Sequence, residues 1–160
     1  MQNKKYAEIE LKHIQLELEN NRTNHFRSFI DQYFCYKNGY VRKSGTADWE
    51  GIVWNETVSK AAKNIKDRKK VVKEHVIPLK RISMELRKLA EINKTSLTDI
   101  SNCLDQMVFF ATITKEEDAI LRENKLSSSM PVEYDQEEHI LYKDPYARYK
   151  TVGIEYELKS

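Results

Sequence analysis

Glycine and proline are scarce in this chain, four and three among 160 residues, so few positions are reserved for turns or helix breaks. Cysteine is scarcer. Cys35 and Cys103 are the only two; both sit on apolar patterns without metal-type spacing, and both are expected to be reduced and buried. A zinc site built on paired Cys-x-x-Cys motifs is excluded by count. No uninterrupted apolar run approaches the ~20 residues of a membrane span. The start, Met1-Gln2-Asn3-Lys4-Lys5, leads into no signal-peptide core. These absences predict a cytoplasmic protein with no membrane partner.

What the chain does have is charge. Charged residues make up 32% and hydrophobic residues 40%, which suits one compact, helix-rich domain over 1–160 with a real core. The net charge of +2 conceals an asymmetry. Residues 1–59 hold eight basic and eight acidic residues, residues 60–88 eleven and three, and residues 89–160 eight and fourteen. The middle block thus carries +8 and the last block −6. A positive field favours a polyanion, nucleic acid being the commonest; the bland alternative is a solvated lysine-rich helix face.

Hydrophobic spacing predicts a first helix near 3–21 (Ala7, Leu11, Ile14, Leu18), while the alternation of Ile14, Leu16 and Leu18 leaves a strand open there. A second, capped by Asn24, carries Phe26, Phe29, Ile30, Tyr33 and Phe34. Residues 37–54, with Asn38-Gly39 and Gly45, read as a turn-rich section with a hairpin as one form open to it. Within it, Trp49 and Trp54 have two roles open: stacking on bases, or filling core beside Ile52 and Val53. Asn55 suggests the cap of a basic helix over roughly 56–70. After Pro78, Ile82, Leu86 and Leu89 mark a helix to about Glu91. Thr95 or Ser96 opens another with Leu97, Ile100 and Leu104. Residues 108–113 read as a buried strand. Thr114 and Glu117 form a capping box for a helix over 115–124. The tyrosine-rich segment 127–160 reads as irregular, with a short strand over 154–158.

The stretch that draws attention is Val71-Val72-Lys73-Glu74-His75-Val76-Ile77-Pro78-Leu79. It is an apolar strand whose middle is spent on an acid and a histidine. Side chains alternate along a strand, so one of the two must face the core. A buried ionisable group without a partner is costly. The pair therefore belongs either to a structural network or to chemistry.

In order, the chain then offers this strand, two helices, a second strand and a helix opening Thr114-Lys115-Glu116-Glu117-Asp118. Glu74-His75-Val76-Ile77-Pro78 and the Thr-x-Glu-Glu opening resemble the two motifs of the HNH, or ββα-metal, endonucleases, over about residues 71–122. The resemblance implies a ββα-metal core over about 71–124. It also implies metal-dependent hydrolysis of phosphodiesters, with His75 activating water and Glu74 and Asp118 holding Mg²⁺ or Mn²⁺. The family's closing histidine is Asp118 here, and its asparagine falls at about Phe109, which leaves a non-cleaving, nucleic-acid-binding relative open.

The expectation is therefore an α+β fold, mostly helical with a small sheet, and an HNH-like endonuclease or a binding relative of one; enzymatic activity stays open. Lys63, Lys66, Arg68, Lys69 and Lys70 are the expected backbone contacts. Arg148, in Asp144-Pro145-Tyr146-Ala147-Arg148-Tyr149, serves either a phosphate or a salt bridge anchoring the C-terminal segment. The alternative is a non-catalytic interaction protein, of mobile-element or immunity type, docking its basic helix on an acidic partner. The sequence specifies neither DNA over RNA, nor sequence specificity, nor oligomeric state, nor biological context.

Overall fold

In the computed structural model, which describes residues 2–159, the described residues form six α-helices and one four-stranded mixed sheet, an α+β fold dominated by helix. No helix among them is long and apolar enough to cross a membrane. The chain divides into two compact units. One comprises the chain up to Ile52 together with Ile82–Val108; the other comprises Val53–Arg81 and the chain from Phe109 onward.

The first unit is helical. Helix α1 (Gln2–Glu19) buries Ala7, Leu11, Ile14 and Leu18, spaced three and four apart so that one stripe meets α2 (Phe26–Asn38). The second helix does not start on an Asn24 cap. His25 takes the flanking position in the left-handed region (φ 64°) and offers no side-chain bond, while Gly39 (φ 81°) ends the helix and donates its N–H to Cys35. Residues 40–47 turn back on themselves through an antiparallel bridge between Val41 and Ala47. Helix α3 (Leu79–Glu91) spans the boundary between the units and buries Ile82 and Leu86. Helix α4 (Leu97–Met107) is capped by Ser96, whose hydroxyl accepts from the Asp99 N–H at 3.1 Å. Tyr33 ties α2 to α4, its hydroxyl lying 3.0 Å from Ser101 Oγ and donating to Asp105. Cys35 is buried as expected; Cys103 is only half-buried.

The second unit holds the sheet, in order β2 (Val71–His75), β3 (Phe110–Thr114), β1 (Thr57–Ser59) and β4 (Tyr156–Glu157). Strand β3 (Phe110–Thr114) is central and buried throughout. It pairs antiparallel with β2 (Val71–His75), Val71 opposite Thr114 and His75 opposite Phe110. It pairs parallel with β1 (Thr57–Ser59), which in turn pairs antiparallel with β4 (Tyr156–Glu157). Helix α5 (Lys115–Glu123) follows β3 directly. Its capping box is complete: Thr114 Oγ1 accepts from the Glu117 N–H at 3.0 Å, and Glu117 Oε2 accepts from the Thr114 N–H at 2.8 Å. Val72, Val76, Ala111 and Ile113 pack with Leu121, Leu126, Tyr149 and Ile154 on one face of the sheet. Val71 and Val58 pack on the other with Val53, Trp54 and Ala62.

Two expectations need correcting here. Residues 56–70 are not a basic helix. Pairing with β3 claims Thr57–Ser59 as a strand, the chain then runs through turns, and only Arg68–Lys70 make a single 3-10 turn, capped by Asp67. Thr57 and Val58 are β-branched, and a buried neighbour strand outweighs the helix propensity of the lysines that follow. The C-terminal segment is also less irregular than its composition suggests. It contains a 3-10 helix (Val132–Asp135) and α6 (Ala147–Val152), the latter closed by Gly153 at φ 78°.

Candidate functional site

Glu74 and His75 sit side by side in β2 and project from opposite faces of the sheet. Directly opposed residues of an antiparallel pair share a face. Glu74 therefore lies with Ala111 over the core that α5 and α6 cover, and His75 lies with Phe110 on the reverse face. The His75 ring stands 4.5 Å from that of Phe110, and His75 is 7% exposed. Lys73, two residues away on the same face, holds its ammonium 5.2 Å from the centre of the Phe110 ring.

Both oxygens of Glu74 accept hydrogen bonds. Arg148 donates to Oε1 and the Tyr149 hydroxyl donates to Oε2. Arg148, fully buried on α6, spends its other N–H groups on backbone carbonyls: Nε on Val76 at 3.1 Å, one terminal nitrogen on Leu126 at 2.7 Å, and the other also on His75 and Val76. The guanidinium is the hub that fastens α6 and the loop after α5 to the end of β2. Of the two roles the sequence leaves open for Arg148, the structure assigns anchoring, because a side chain with no exposed surface cannot reach a phosphate. Burial raises the Glu74 carboxyl above its ordinary range, against the opposing pull of Arg148 and Tyr149. Burial and the facing carboxylate hold the Tyr149 hydroxyl well above its usual value, so it stays protonated and donates.

Asp118 lies elsewhere. Register places the start of α5 opposite Val71, three residues from Glu74 and thus ~10 Å away along the strand at ~3.3 Å per residue. There Asp118 pairs with Arg122 one turn on, at 2.7 Å. Glu117 closes the capping box and also accepts from Ser59 Oγ at 2.6 Å, tying α5 to β1. Among the described residues no three His, Cys, Asp or Glu side chains are grouped so that they could hold a metal ion. Glu74, His75 and Asp118 as they stand do not fit a divalent cation, since they point in different directions and both carboxylates are engaged.

The expected backbone contacts fall on the connection between β1 and β2. Because β1 runs parallel to β3 and β2 antiparallel to it, residues 60–70 cross the carboxyl end of β3, where α5 begins. Lys63 pairs with Glu157 at 2.7 Å, and Lys60 next to it with Glu155 at 2.9 Å. Arg68 is half-buried and donates to the Val71 carbonyl at 3.0 Å, so it shapes the turn into β2. Lys66, Lys69 and Lys70 are exposed. Beside them, Asp67 caps the 3-10 turn through the Lys69 N–H at 2.9 Å.

Sequence reasoning gives Tyr149 no role and leaves that of Trp54 open. Tyr149 carries no signal beyond an aromatic next to a basic residue. Trp54, for which the sequence leaves base stacking or core filling open, is half-buried against Val53, Val71 and Ala62; its backbone sits in the left-handed region (φ 61°), and it lines a groove of about 720 Å³ with Lys63, Lys66 and Lys159. A positive φ on a bulky residue leaves no mark in the sequence. In comparisons with protein-family models, curated proteins and solved structures, nothing matches this chain.

Proposed function

We propose that this chain binds nucleic acid through the phosphate backbone, in the cytoplasm, as a non-cleaving relative of the ββα-metal proteins it resembles. The observation that carries the reading is the cluster of exposed Lys66, Lys69 and Lys70 on a turn-rich connection held by β1, β2 and the capped start of α5. Exposed lysines on a fixed loop suit phosphate, which needs charge at a position rather than readout of bases. The free thiols of Cys35 and Cys103 suit a reducing compartment.

Binding is favoured over cleavage because the residues that would act are committed. Glu74 is locked by Arg148 and Tyr149, Asp118 by Arg122, and His75 faces away from both. The alternative of a basic helix docking on an acidic partner loses its motif, since residues 60–67 are turn and irregular chain rather than helix.

The test is fluorescence anisotropy with labelled 20-nucleotide DNA and RNA across a salt series. A plasmid-cleavage assay with Mg²⁺ or Mn²⁺ against EDTA runs beside it. Binding that weakens steeply with salt, without metal-dependent nicking, is the expected result. No binding at low salt would end the reading. Metal-dependent cleavage lost in His75→Ala would replace it with the nuclease.

A further inference from the structure

Resting on that reading, we propose that the groove beside β1 and β4 takes single-stranded nucleic acid, with one base stacked on Trp54 and the flanking phosphates on Lys63, Lys66 and Lys159.

The groove, about 720 Å³, lies wholly within the second unit and opens at the β4 side of the sheet. Its lining combines an indole and the apolar flanks Val58 and Ile65 with three lysines and two glutamates, Glu56 and Glu157. That pairing of an aromatic platform with cations is what a strand of splayed bases requires, because every base has a π face while the backbone supplies the charge. A duplex keeps its bases stacked on one another and offers no face to the indole.

Trp54 is held for such contact. Its indole N–H donates to the Ala62 carbonyl at 3.3 Å, and its backbone N–H donates to Thr112 Oγ1 at 2.8 Å. One bond holds the indole and the other holds the backbone that carries it, and Thr112 belongs to the central strand. The left-handed backbone (φ 61°) is uncommon for a bulky residue, and such conformations gather at binding sites because the surroundings must enforce them. Trp54 is half-buried, packed against Val53, Val71 and Ala62 while it lines the groove.

The charges are arranged for exchange. Lys63 pairs with Glu157 at 2.7 Å and Lys159 with Glu56 at 2.8 Å, both exposed ion pairs of the weak kind that a phosphate can displace. Lys66 is exposed and has no carboxylate partner among the described residues. It leaves the groove with one net positive charge before any exchange.

The chain has two tryptophans, so Trp49→Phe leaves Trp54 as the sole indole emitter without touching the groove. In that variant, titration with a 20-nucleotide single strand of dT should quench the emission, and the matching duplex should not. By anisotropy, wild type should bind the single strand at least about tenfold more tightly than the duplex; Trp54→Ala should lose that preference and keep duplex affinity. The thermal melt of Trp54→Ala shows whether it is folded, and the quenching arm stands whatever that melt gives. Equal binding of both forms with no quenching would overturn the groove assignment and leave backbone binding intact. Absence of binding by either form would overturn both.

Discussion

Arg148 on α6, fully buried, and Glu74 on β2, largely buried, are seventy-four residues apart in sequence and form an ion pair that the Tyr149 hydroxyl completes. The guanidinium also answers the carbonyls of His75, Val76 and Leu126, so one side chain closes the end of the sheet, the loop after α5 and the C-terminal helix. Pairs of this kind add little net stability against an apolar replacement. Removing one partner is a different matter, because it strands the other charge without water.

Glu74→Gln should therefore cost on the order of 3 kcal/mol, at the low end of the 3–5 kcal/mol seen when a buried pair is broken from one side. Urea unfolding at pH 7 measures it. A loss below ~1 kcal/mol would mean that the carboxylate is not what holds Arg148, and that its carbonyl contacts suffice.

Acid should loosen the 3-10 helix Val132–Asp135 before the rest of the second unit. Asp135 accepts both guanidinium N–H groups of Arg81, at 2.7 and 2.8 Å, which holds its carboxyl down to about 2 from an ordinary 3.8. A depressed folded value means the stabilisation is present above about 3.8 and is lost as pH falls toward 2. Asp135 is exposed on one side, so solvent screening keeps the effect small. Thermal melts from pH 5 to pH 2 should show a shallower decline for Asp135→Asn than for wild type. Identical declines would remove Asp135 from the acid response.

Replacing Lys66, Lys69 and Lys70 together by Ala should lower the slope of log K against log salt by roughly 2 to 3, at about 0.9 per phosphate contact on duplex and less on single strands. An unchanged slope in the salt series would mean that none of the three touches a phosphate.

Both thiols should resist alkylation in the folded protein. Cys35 is fully buried, and burial pushes the Cys103 thiol up to about 11, which leaves little thiolate at neutral pH. Iodoacetamide at pH 7.5 followed by mass spectrometry should find no rapid modification until urea is added. Fast labelling of Cys103 would show that α4 opens readily.

The helices were the most legible part of the fold. Ala7, Leu11, Ile14 and Leu18 mark α1 by spacing among good helix formers, Thr95 or Ser96 marks the start of α4, and Thr114 with Glu117 marks the start of α5 to the residue. Each signal is local, since the cap and the helix it caps are neighbours in sequence. β2 was legible for the same reason, as a run of β-branched residues stopped by Pro78. The segment 56–70 was misread because its lysines favour helix while Thr57 and Val58 answer to β3, more than fifty residues away. Segment 127–160 hid α6, a helix of six residues whose position depends on Arg148 reaching β2.

The sequence by itself determined that an ionisable pair lies in an apolar strand, that one of the pair must turn inward, and that charge is unevenly distributed along the chain. Alternation along a strand and composition are properties of neighbouring residues, so they survive without a fold. Only tertiary structure decided which of the two turned toward the α5 and α6 core, what met it there, and that Asp118 stayed at the opposite end of β2. Those outcomes depend on strand register and on a guanidinium arriving from the far end of the chain. Pairing across such distances is set by the burial of whole faces rather than by any local signal.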